Sequence, residues 1–186
     1  MKWNEYLEYF KQIVDGSDRQ PPYDNEDYYQ YTKLNKSRNS RWLKQSPLTE
    51  ATTAFMKDGI KAKQEWTVIT EPWCGDAAHI VPVLYLMSEL NDKIHFSIQL
   101  RDTDSEIDKY LTRGTKSIPI LIVRDVNGED LFHWGPRPKQ GAELFEKLKE
   151  TNASFEDTKI ALQEFYNKDK GKGVQEEVVK LLKEIQ

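Results

Sequence analysis

The sequence contains a single cysteine, Cys74, among its 186 residues. One cysteine cannot form an internal disulfide, so the fold does not depend on an oxidising compartment, and we expect a cytoplasmic location. No apolar run approaches the roughly 20 residues that a membrane-spanning helix needs. The first residues, MKWNEYLEYF, carry charges throughout, which indicates neither a secretory signal peptide nor a mitochondrial presequence.

The sequence also has few histidines and no net positive charge. The chain has three histidines and a formal net charge of -4, which argues against general nucleic-acid binding, because that function needs a basic domain. His79, His95 and His133 fall in separate predicted elements and do not cluster with acids or with Cys74, whereas a metal site needs several converging ligands. We therefore expect no metal, no cofactor, and neither a nucleic acid nor a membrane as a partner.

What is present is typical of a globular domain, with 31% charged and 38% hydrophobic residues. Hydrophobic periodicity predicts strands at 66–70, 94–100, 118–123 and 131–134, and helices at 49–63, 76–91, 105–112 and 140–149. Strand–helix–strand units pair in parallel, and a hairpin at Asn127-Gly128, interpreted as a type I′ turn, adds antiparallel strands. This order predicts an α/β protein with a mixed sheet covered by helices, and it fits several folds.

Both ends of the chain extend beyond this core, which spans residues 49–150. Residues 1–48 form a predicted N-terminal extension, helical at 3–14, with a short helix at 38–44. Residues 151–186 form a C-terminal extension with polar helices at about 156–167 and 174–185, which either pack on the core or bind a partner. Between residues 28 and 48 there is no acid, and aromatic residues interleave with the cations Lys33, Lys36, Arg38, Arg41 and Lys44. In an acidic protein, this pattern indicates a solvated basic face rather than a nucleic-acid patch.

Three short motifs in the core narrow the choice of fold. Trp73-Cys74-Gly75 follows the first strand of the core, and Pro82 stands eight residues after the cysteine, inside a predicted helix. A proline there costs roughly 3 kcal/mol and is an improbable accident. Ile118-Pro119 begins an apolar strand, and Trp134-Gly135 ends the hairpin. On these residues, the chain over about 49–149 resembles the thioredoxin family, as a single-cysteine Trp-Cys-Gly-Asp variant.

The resemblance implies a thioredoxin-like three-layer sandwich, with a mixed central sheet flanked by helices and helical extensions at both ends. It also implies that Pro119 is cis and faces Cys74. Trp73, Ile118, Pro119 and Trp134 would then border a substrate groove, in which an extended peptide pairs with the backbone before the proline. Alternatively, Trp73 and Trp134 pack in the core. Arg137, which lies between two prolines, is either aimed at an anionic substrate or at Asp76, or is solvated.

Two departures from the family pattern affect the expected chemistry. A dithiol oxidoreductase needs a resolving thiol three residues after the nucleophile, and Ala77 stands there. The family also has a buried carboxylate six residues before the nucleophile, where this chain has Val68. We therefore do not expect dithiol reductase activity. Glu71 likewise replaces the Thr or Ser that single-cysteine peroxidases of this fold carry three residues before the cysteine.

The reactivity of Cys74 is left open by the sequence. A helix N-terminus stabilises a thiolate by about 0.3–1 kcal/mol when exposed and up to ~2 kcal/mol when partly buried. The charge of Asp76, at about 6 Å, would oppose it by roughly 0.7 kcal/mol in water and about 3 kcal/mol at an effective dielectric constant of 20. Asp76 is alternatively a helix cap that leaves Cys74 a neutral thiol. The two effects are similar in size, so the sign of the pKa shift does not follow.

Two functions therefore remain. In the first, the protein is a monothiol factor in which Cys74 is the catalytic nucleophile, Asp76 tunes it, and the partner is a protein or a low-molecular-weight thiol or disulfide. An external thiol then resolves the mixed disulfide. In the second, the chain is a non-catalytic module that binds a protein or peptide partner. The sequence leaves both open, together with the oligomeric state.

Overall fold

The computed structural model describes residues 1–16 and 19–185. In chain order, the helices and strands are α1 (Trp3–Asp15), α2 (Glu26–Gln45), α3 (Glu50–Gly59), β1 (Gln64–Thr70), α4 (Ala77–Ser88), β2 (Ile94–Leu100), β3 (Ile120–Arg124), β4 (Asp130–Trp134), α5 (Lys139–Glu150), α6 (Phe155–Asp169) and α7 (Lys172–Glu184). A single turn of 3₁₀ helix covers Ile107–Lys109.

The four strands form one mixed sheet in the order β2-β1-β3-β4. Strands β1 and β2 are parallel, with Trp66 opposite Phe96, as expected for strands joined by a crossover helix. Strand β3 runs antiparallel to β1, with Val68 opposite Leu121, and β4 runs antiparallel to β3. The alternation predicted for residues 94–100 is confirmed, since Ile94, Phe96, Ile98 and Leu100 are buried.

Helix α4 lies at the centre of the helical layer. It packs on β1 and β2, while α2, α3 and α7 pack against it. Val81 and Leu84 are fully buried, and Pro82 lies inside the helix as the sequence indicated. The predicted α/β class, a mixed sheet covered by helices with helical extensions, is confirmed.

The N-terminal extension is more helical than predicted. Helix α1 follows the expected period and buries Trp3, Tyr6 and Phe10. The predicted short helix at 38–44 is wrong in extent, because α2 spans 20 residues. Its buried face runs through Tyr29, Thr32, Asn35, Asn39 and Trp42 at helical spacing. Three of these five residues are polar, so the hydrophobic pattern is weak where the helix is in fact well packed.

Two local predictions in the core are also wrong. The hairpin does not have a type I′ turn, because only Gly128 takes a positive φ, of 82°. The Gly128 N–H donates to the Asp125 carbonyl at 3.1 Å. This bond closes a four-residue turn in which Gly128 is the last residue. The helix predicted at 105–112 is reduced to the 3₁₀ turn.

The C-terminal helices predicted at 156–167 and 174–185 correspond to α6 and α7. Helix α7 packs against α3 and α4, and buried Gln175 accepts from the Thr49 N–H at 2.8 Å and donates to the Pro47 carbonyl at 3.1 Å. The C-terminal extension therefore packs on the core, while the domain boundaries at 48/49 and 150/151 stay predictions. No helix among the described residues is long and apolar enough to cross a membrane.

Candidate functional site

Cys74 lies in the loop that leads from β1 into α4. Its N–H donates to the Glu71 carbonyl at 3.0 Å, and its own carbonyl accepts from the Ala78 N–H at 3.2 Å. The loop thus closes a turn and runs directly into the helix. Because the first N–H groups of a helix have no intrahelical partner, the sulfur lies at the positive end of α4.

The thiol is nearly buried and is protonated at neutral pH. Cys74 is 6% exposed, and its Sγ donates to the Ile118 carbonyl at 3.4 Å, next to the cis Ile118–Pro119 bond. Burial and, second, the Asp76 charge raise the pKa of Cys74 to about 12, against the opposing effect of the Ala77 N–H and Arg137. The direction of the pKa shift of Cys74, which the sequence left open, is therefore upward.

Asp76 does not cap α4, because its side chain accepts no hydrogen bond from the helix backbone. Its carboxylate instead pairs with Arg137 Nη2 at 2.6 Å and accepts from the Tyr166 hydroxyl at 2.6 Å. The Arg137 guanidinium also lies 4.1 Å from the centre of the Phe145 ring. The Arg137 side chain therefore points towards Asp76, which is one of the three orientations that the sequence left open.

A cavity of about 710 Å³ opens over the thiol. Its walls come from the Cys74 loop, from α2 and from α6, so the two ends of the chain close over the centre of the fold. Four cationic side chains line it (Arg38, Arg101, Arg137 and Lys159), with two acids (Asp27 and Asp76). Six aromatic rings also line it (Tyr28, Tyr31, Trp73, Phe145, Phe155 and Tyr166). We call this space the Cys74 cavity.

His79 fixes the two helical walls relative to α4. Its Nδ1 accepts from the Trp42 indole N–H at 2.9 Å, its Nε2 lies 3.2 Å from Gln163 Oε1, and its ring stacks on Tyr166 at 4.6 Å. Since Nδ1 is an acceptor, the neutral ring carries its proton on Nε2. Burial and the charge of Arg38 lower the pKa of His79 to about 3. His79 is therefore a buried structural residue.

A second anchor holds α2 beside the loop. The Asn35 side-chain amide donates to the Pro72 carbonyl at 3.1 Å. A Cβ atom at Gly75 would collide with the Tyr31 hydroxyl, so the glycine permits the close approach of this ring. The Cys74 loop and the helix above it thus fit each other closely.

The structure brings together some of the predicted site residues and not others. Trp73, Asp76, Ile118 and Arg137 line the Cys74 cavity together with Cys74 itself. Pro119 is buried next to Ile118, outside the lining. Trp134 also lies outside it, and its indole N–H donates to Glu177 Oε2 on α7 at 2.8 Å. Its predicted place at the edge of a substrate groove stays a prediction.

Sequence reasoning missed the residues of the two helical walls. Tyr31 and Arg38 belong to the segment interpreted as a solvated basic face, and Phe155, Lys159 and Tyr166 were assigned no role. One signal was visible, namely aromatic residues interleaved with cations between residues 28 and 48. In the structure the Arg38 guanidinium and the Lys159 ammonium group both lie 5.2 Å from the centre of the Tyr31 ring.

The described part of the chain contains no group of three or more His, Cys, Asp or Glu residues placed to hold a metal ion. His95 is exposed, and the ring of exposed His133 lies 5.4 Å from that of Tyr110, away from the thiol. The site therefore offers cations, aromatic rings, two carboxylates and one protonated thiol.

Comparisons with known proteins agree with this architecture. A crystal structure of an HIV epitope scaffold has a TM-score of 0.61 and 15% identity, with 100% of both chains covered. The protein of unknown function PA1234 from Pseudomonas aeruginosa has a TM-score of 0.59 and 16% identity, with 100% of this chain and 99% of that chain covered. At such identities these likenesses show the fold alone. No curated protein matches the sequence.

The family itself is shown by a sequence model. The model described as Thioredoxin matches residues 22–150, which is more than half of the chain and includes the Cys74 loop, all four strands and the whole of α2. The chain, with its one cysteine at the start of α4, therefore belongs to the thioredoxin family.

Proposed function

We propose that this protein is a non-catalytic binding module of thioredoxin fold, whose ligand occupies the Cys74 cavity. The observation that carries the proposal is the cavity itself, of about 710 Å³ and built by both ends of the chain over a protonated thiol. Ligand sites in proteins have volumes of about 300–1,000 Å³ and combine apolar walls with a few placed polar groups. Enclosure by two helices favours a small ligand over the long peptide segment considered from the sequence.

The state of the thiol supports binding over catalysis. With a pKa raised to about 12, Cys74 is almost entirely a neutral thiol at pH 7, whereas the thiolate is the nucleophile. The Asp76 charge beside it favours the neutral form. Ala77 and Val68 replace the groups that would resolve a mixed disulfide internally. Each of these features disfavours thiol–disulfide exchange at Cys74, and none of them disfavours binding of a ligand in the cavity.

The proposal is tested by the alkylation rate of Cys74 with iodoacetamide, followed by mass spectrometry on the folded protein between pH 6 and 9. We expect a rate at pH 7 at least about 100-fold below that of a cysteine in an unstructured peptide, because both burial and pKa lower it. The unfolded protein in denaturant serves as the control and should react like the peptide. A folded rate equal to or above the peptide rate would contradict the binding-module proposal.

A second candidate is monothiol exchange, which is favoured by one observation: Cys74 lines the cavity next to Ile118 and the cis bond. Here the Cys74 thiolate attacks a disulfide sulfur, a mixed disulfide forms, and the leaving thiolate takes up a proton. An external thiol then releases Cys74, so the partner is a protein or a low-molecular-weight thiol or disulfide.

This second candidate has its own experiment. Protein taken from cells under thiol-blocking conditions would carry a mixed disulfide at Cys74, visible as a defined mass increase. The Ala77→Cys variant would gain disulfide-reductase activity, with Cys74→Ser/Ala77→Cys as its inactive control. An uncapped Cys74 together with a folded but inactive Ala77→Cys variant would remove the candidate.

We also propose a cytoplasmic location, because an unpaired thiol persists best where glutathione and thioredoxin keep thiols reduced. Cell fractionation with thiol trapping tests it. Recovery of the protein outside the cytoplasmic fraction would contradict it.

A further inference from the structure

The charges facing the Cys74 cavity are not balanced, although the protein as a whole is acidic, with a net charge of -4. Of the two acids in the lining, Asp76 is committed to Arg137 and Tyr166. Asp27 lies on the exposed first turn of α2, where water screens its charge. Asp76 and Arg137 neutralise each other, so the other three cations of the lining face a space with little negative charge of its own.

Arg38 is the cation with the least compensation. Its Nη1 donates to the neutral Asn35 side chain at 2.9 Å, and it forms no ion pair with any carboxylate in the described residues. Arg101 and Lys159, by contrast, pair with Asp102 and Glu156 at 2.7 Å and 2.6 Å. A half-buried guanidinium without an acid is a favourable place for an incoming anion, because its charge is less screened than on the open surface.

Two further hydrogen-bond donors of the lining residues have no partner among the described residues. The indole N–H of Trp73 and the Nε–H of Arg137 are both buried and have no hydrogen-bond acceptor. Unsatisfied buried donors are uncommon in native proteins, and both belong to residues that line the cavity. Their N–H dipoles therefore remain uncompensated by the protein.

Exposed aromatic side chains are part of the cavity lining. Phe155 is 80% exposed and Tyr28 is 45% exposed, and both line the opening. The Tyr28 ring meets the Trp73 ring edge-on, with 6.0 Å between their centres. Large exposed aromatic side chains that converge on a cavity mark a surface that is covered in use.

From these features we infer that the Cys74 cavity binds a small organic acid, with its carboxylate on the Arg38 side and an aromatic or other flat apolar body against Tyr28, Trp73 and Phe155. The inference rests on the proposed binding function and deepens it, because it names the class of ligand. The class of ligand follows from two features of the cavity. Its interior has more hydrogen-bond donors and positive charge than acceptors and negative charge, and exposed aromatic side chains line its opening. A neutral or cationic ligand would leave Arg38 desolvated without compensation.

The experiment uses three probes of nearly equal shape with the full-length protein: phenylacetate, phenylacetamide and phenethylamine. Isothermal titration calorimetry is expected to show phenylacetate binding about tenfold more tightly than phenylacetamide, since a charge-assisted hydrogen bond is lost in the amide. Phenethylamine should bind most weakly. Between about 20 mM and about 200 mM salt, the affinity for phenylacetate should fall several-fold, and that for phenylacetamide should not.

Matched variants locate the site. Arg38→Gln should weaken phenylacetate binding about tenfold and leave phenylacetamide binding within about twofold. Arg41→Gln is the control, because Arg41 lies on the same helix and bonds the neutral Asn167 side chain at 2.9 Å, outside the cavity lining. It should leave both affinities unchanged. Phe155→Ala should weaken all three probes, and its exposed position keeps the fold intact.

Each outcome decides something. Equal affinity for phenylacetate and phenylacetamide, lowered by Phe155→Ala, would overturn the anion preference and keep the binding module. No saturable binding of any probe would overturn both. If Arg38→Gln does not fold, the salt dependence of the wild type decides alone. A tetrapeptide ending in a free phenylalanine carboxylate that binds more than about tenfold tighter than phenylacetate would overturn the assignment to a small acid.

Discussion

The ion pair between Asp76 and Arg137 should contribute much more to stability than a surface pair, and the Asp76→Asn substitution tests this. The two side chains are only 11% and 16% exposed, with a separation of 2.6 Å. Asparagine keeps the shape and an acceptor oxygen for the Tyr166 hydroxyl. It removes the charge and replaces one acceptor oxygen by an NH₂ donor, so Arg137 is left nearly buried without a counter-ion.

The size of the effect follows from this burial. Breaking a fully buried ion pair costs about 3–5 kcal/mol, because one charge remains uncompensated. The residual exposure of both side chains admits some water, so we expect the free energy of unfolding to fall by about 2–3 kcal/mol. For a chain of 186 residues, that corresponds to a decrease in Tm of about 4–12 °C.

The assay is urea denaturation followed by circular dichroism and tryptophan fluorescence. Asp108→Asn is the matched control, because Asp108 pairs with Lys116 at 2.9 Å but the side chains are 71% and 52% exposed. Such pairs contribute about 0–1 kcal/mol. A double-mutant cycle with Arg137→Gln should return a coupling energy of about 2 kcal/mol between Asp76 and Arg137.

The reasoning is refuted if Asp76→Asn costs no more than Asp108→Asn, or if the cycle gives no coupling. A second readout is independent of stability. The charge of Asp76 raises the pKa of Cys74, so Asp76→Asn should lower that pKa and speed alkylation of the folded variant. Unchanged alkylation in a folded variant would contradict the electrostatic part of the argument.

Three further substitutions test other parts of the structure. His79 has a folded pKa of about 3 against 6.5 unfolded, so the stability that it contributes is lost as pH falls below about 6.5. Between pH 7 and 5 the wild type should lose about 2 kcal/mol more than His79→Gln in urea denaturation, and His95→Gln should behave like the wild type. Burial raises the pKa of Glu71 to about 7, so its contribution is lost as pH rises from about 4.5 to 7. Glu71→Gln should be about 3 kcal/mol more resistant than the wild type to that rise in pH, again by urea denaturation. Gly135→Ala should cost more than about 3 kcal/mol, because φ is +131° and a Cβ would meet the Pro119 carbonyl, whereas Gly114→Ala, at φ +77° with open space, should cost about 1–2 kcal/mol.

The core of the fold was predictable because its strands carry strong local patterns. Ile94 to Leu100 alternates as a half-buried strand should, and Pro82 after Trp73-Cys74-Gly75 is a rare combination. The hairpin turn was less predictable, because the Asp125 carboxylate accepts from the Asn127 and Glu129 N–H groups and selects a different turn. The hydrogen bonds of the Asp125 side chain thus outweigh the preference of Asn-Gly for a type I′ turn.

The walls of the site were not predictable from the same patterns. Helix α2 buries Thr32, Asn35 and Asn39, which lowers its hydrophobic signal below that of an ordinary packed helix. The Tyr166 hydroxyl reaches Asp76 across 90 positions of the chain, and no local pattern encodes such a contact. The position of Cys74 just before α4 followed from sequence, but the helices that line the cavity over it did not.

The cavity walls have a consequence for how this chain can be divided. The Cys74 loop is in the middle of the sequence, while the surfaces that cover it come from residues 26–45 and 155–169. A fragment cut at 49 and 150 would contain all four strands and the cysteine but would lack these two walls of the cavity. The cavity is formed by two segments on opposite sides of the Cys74 loop in the sequence, so a chain still being synthesised acquires it only after residues 155–169 have been added.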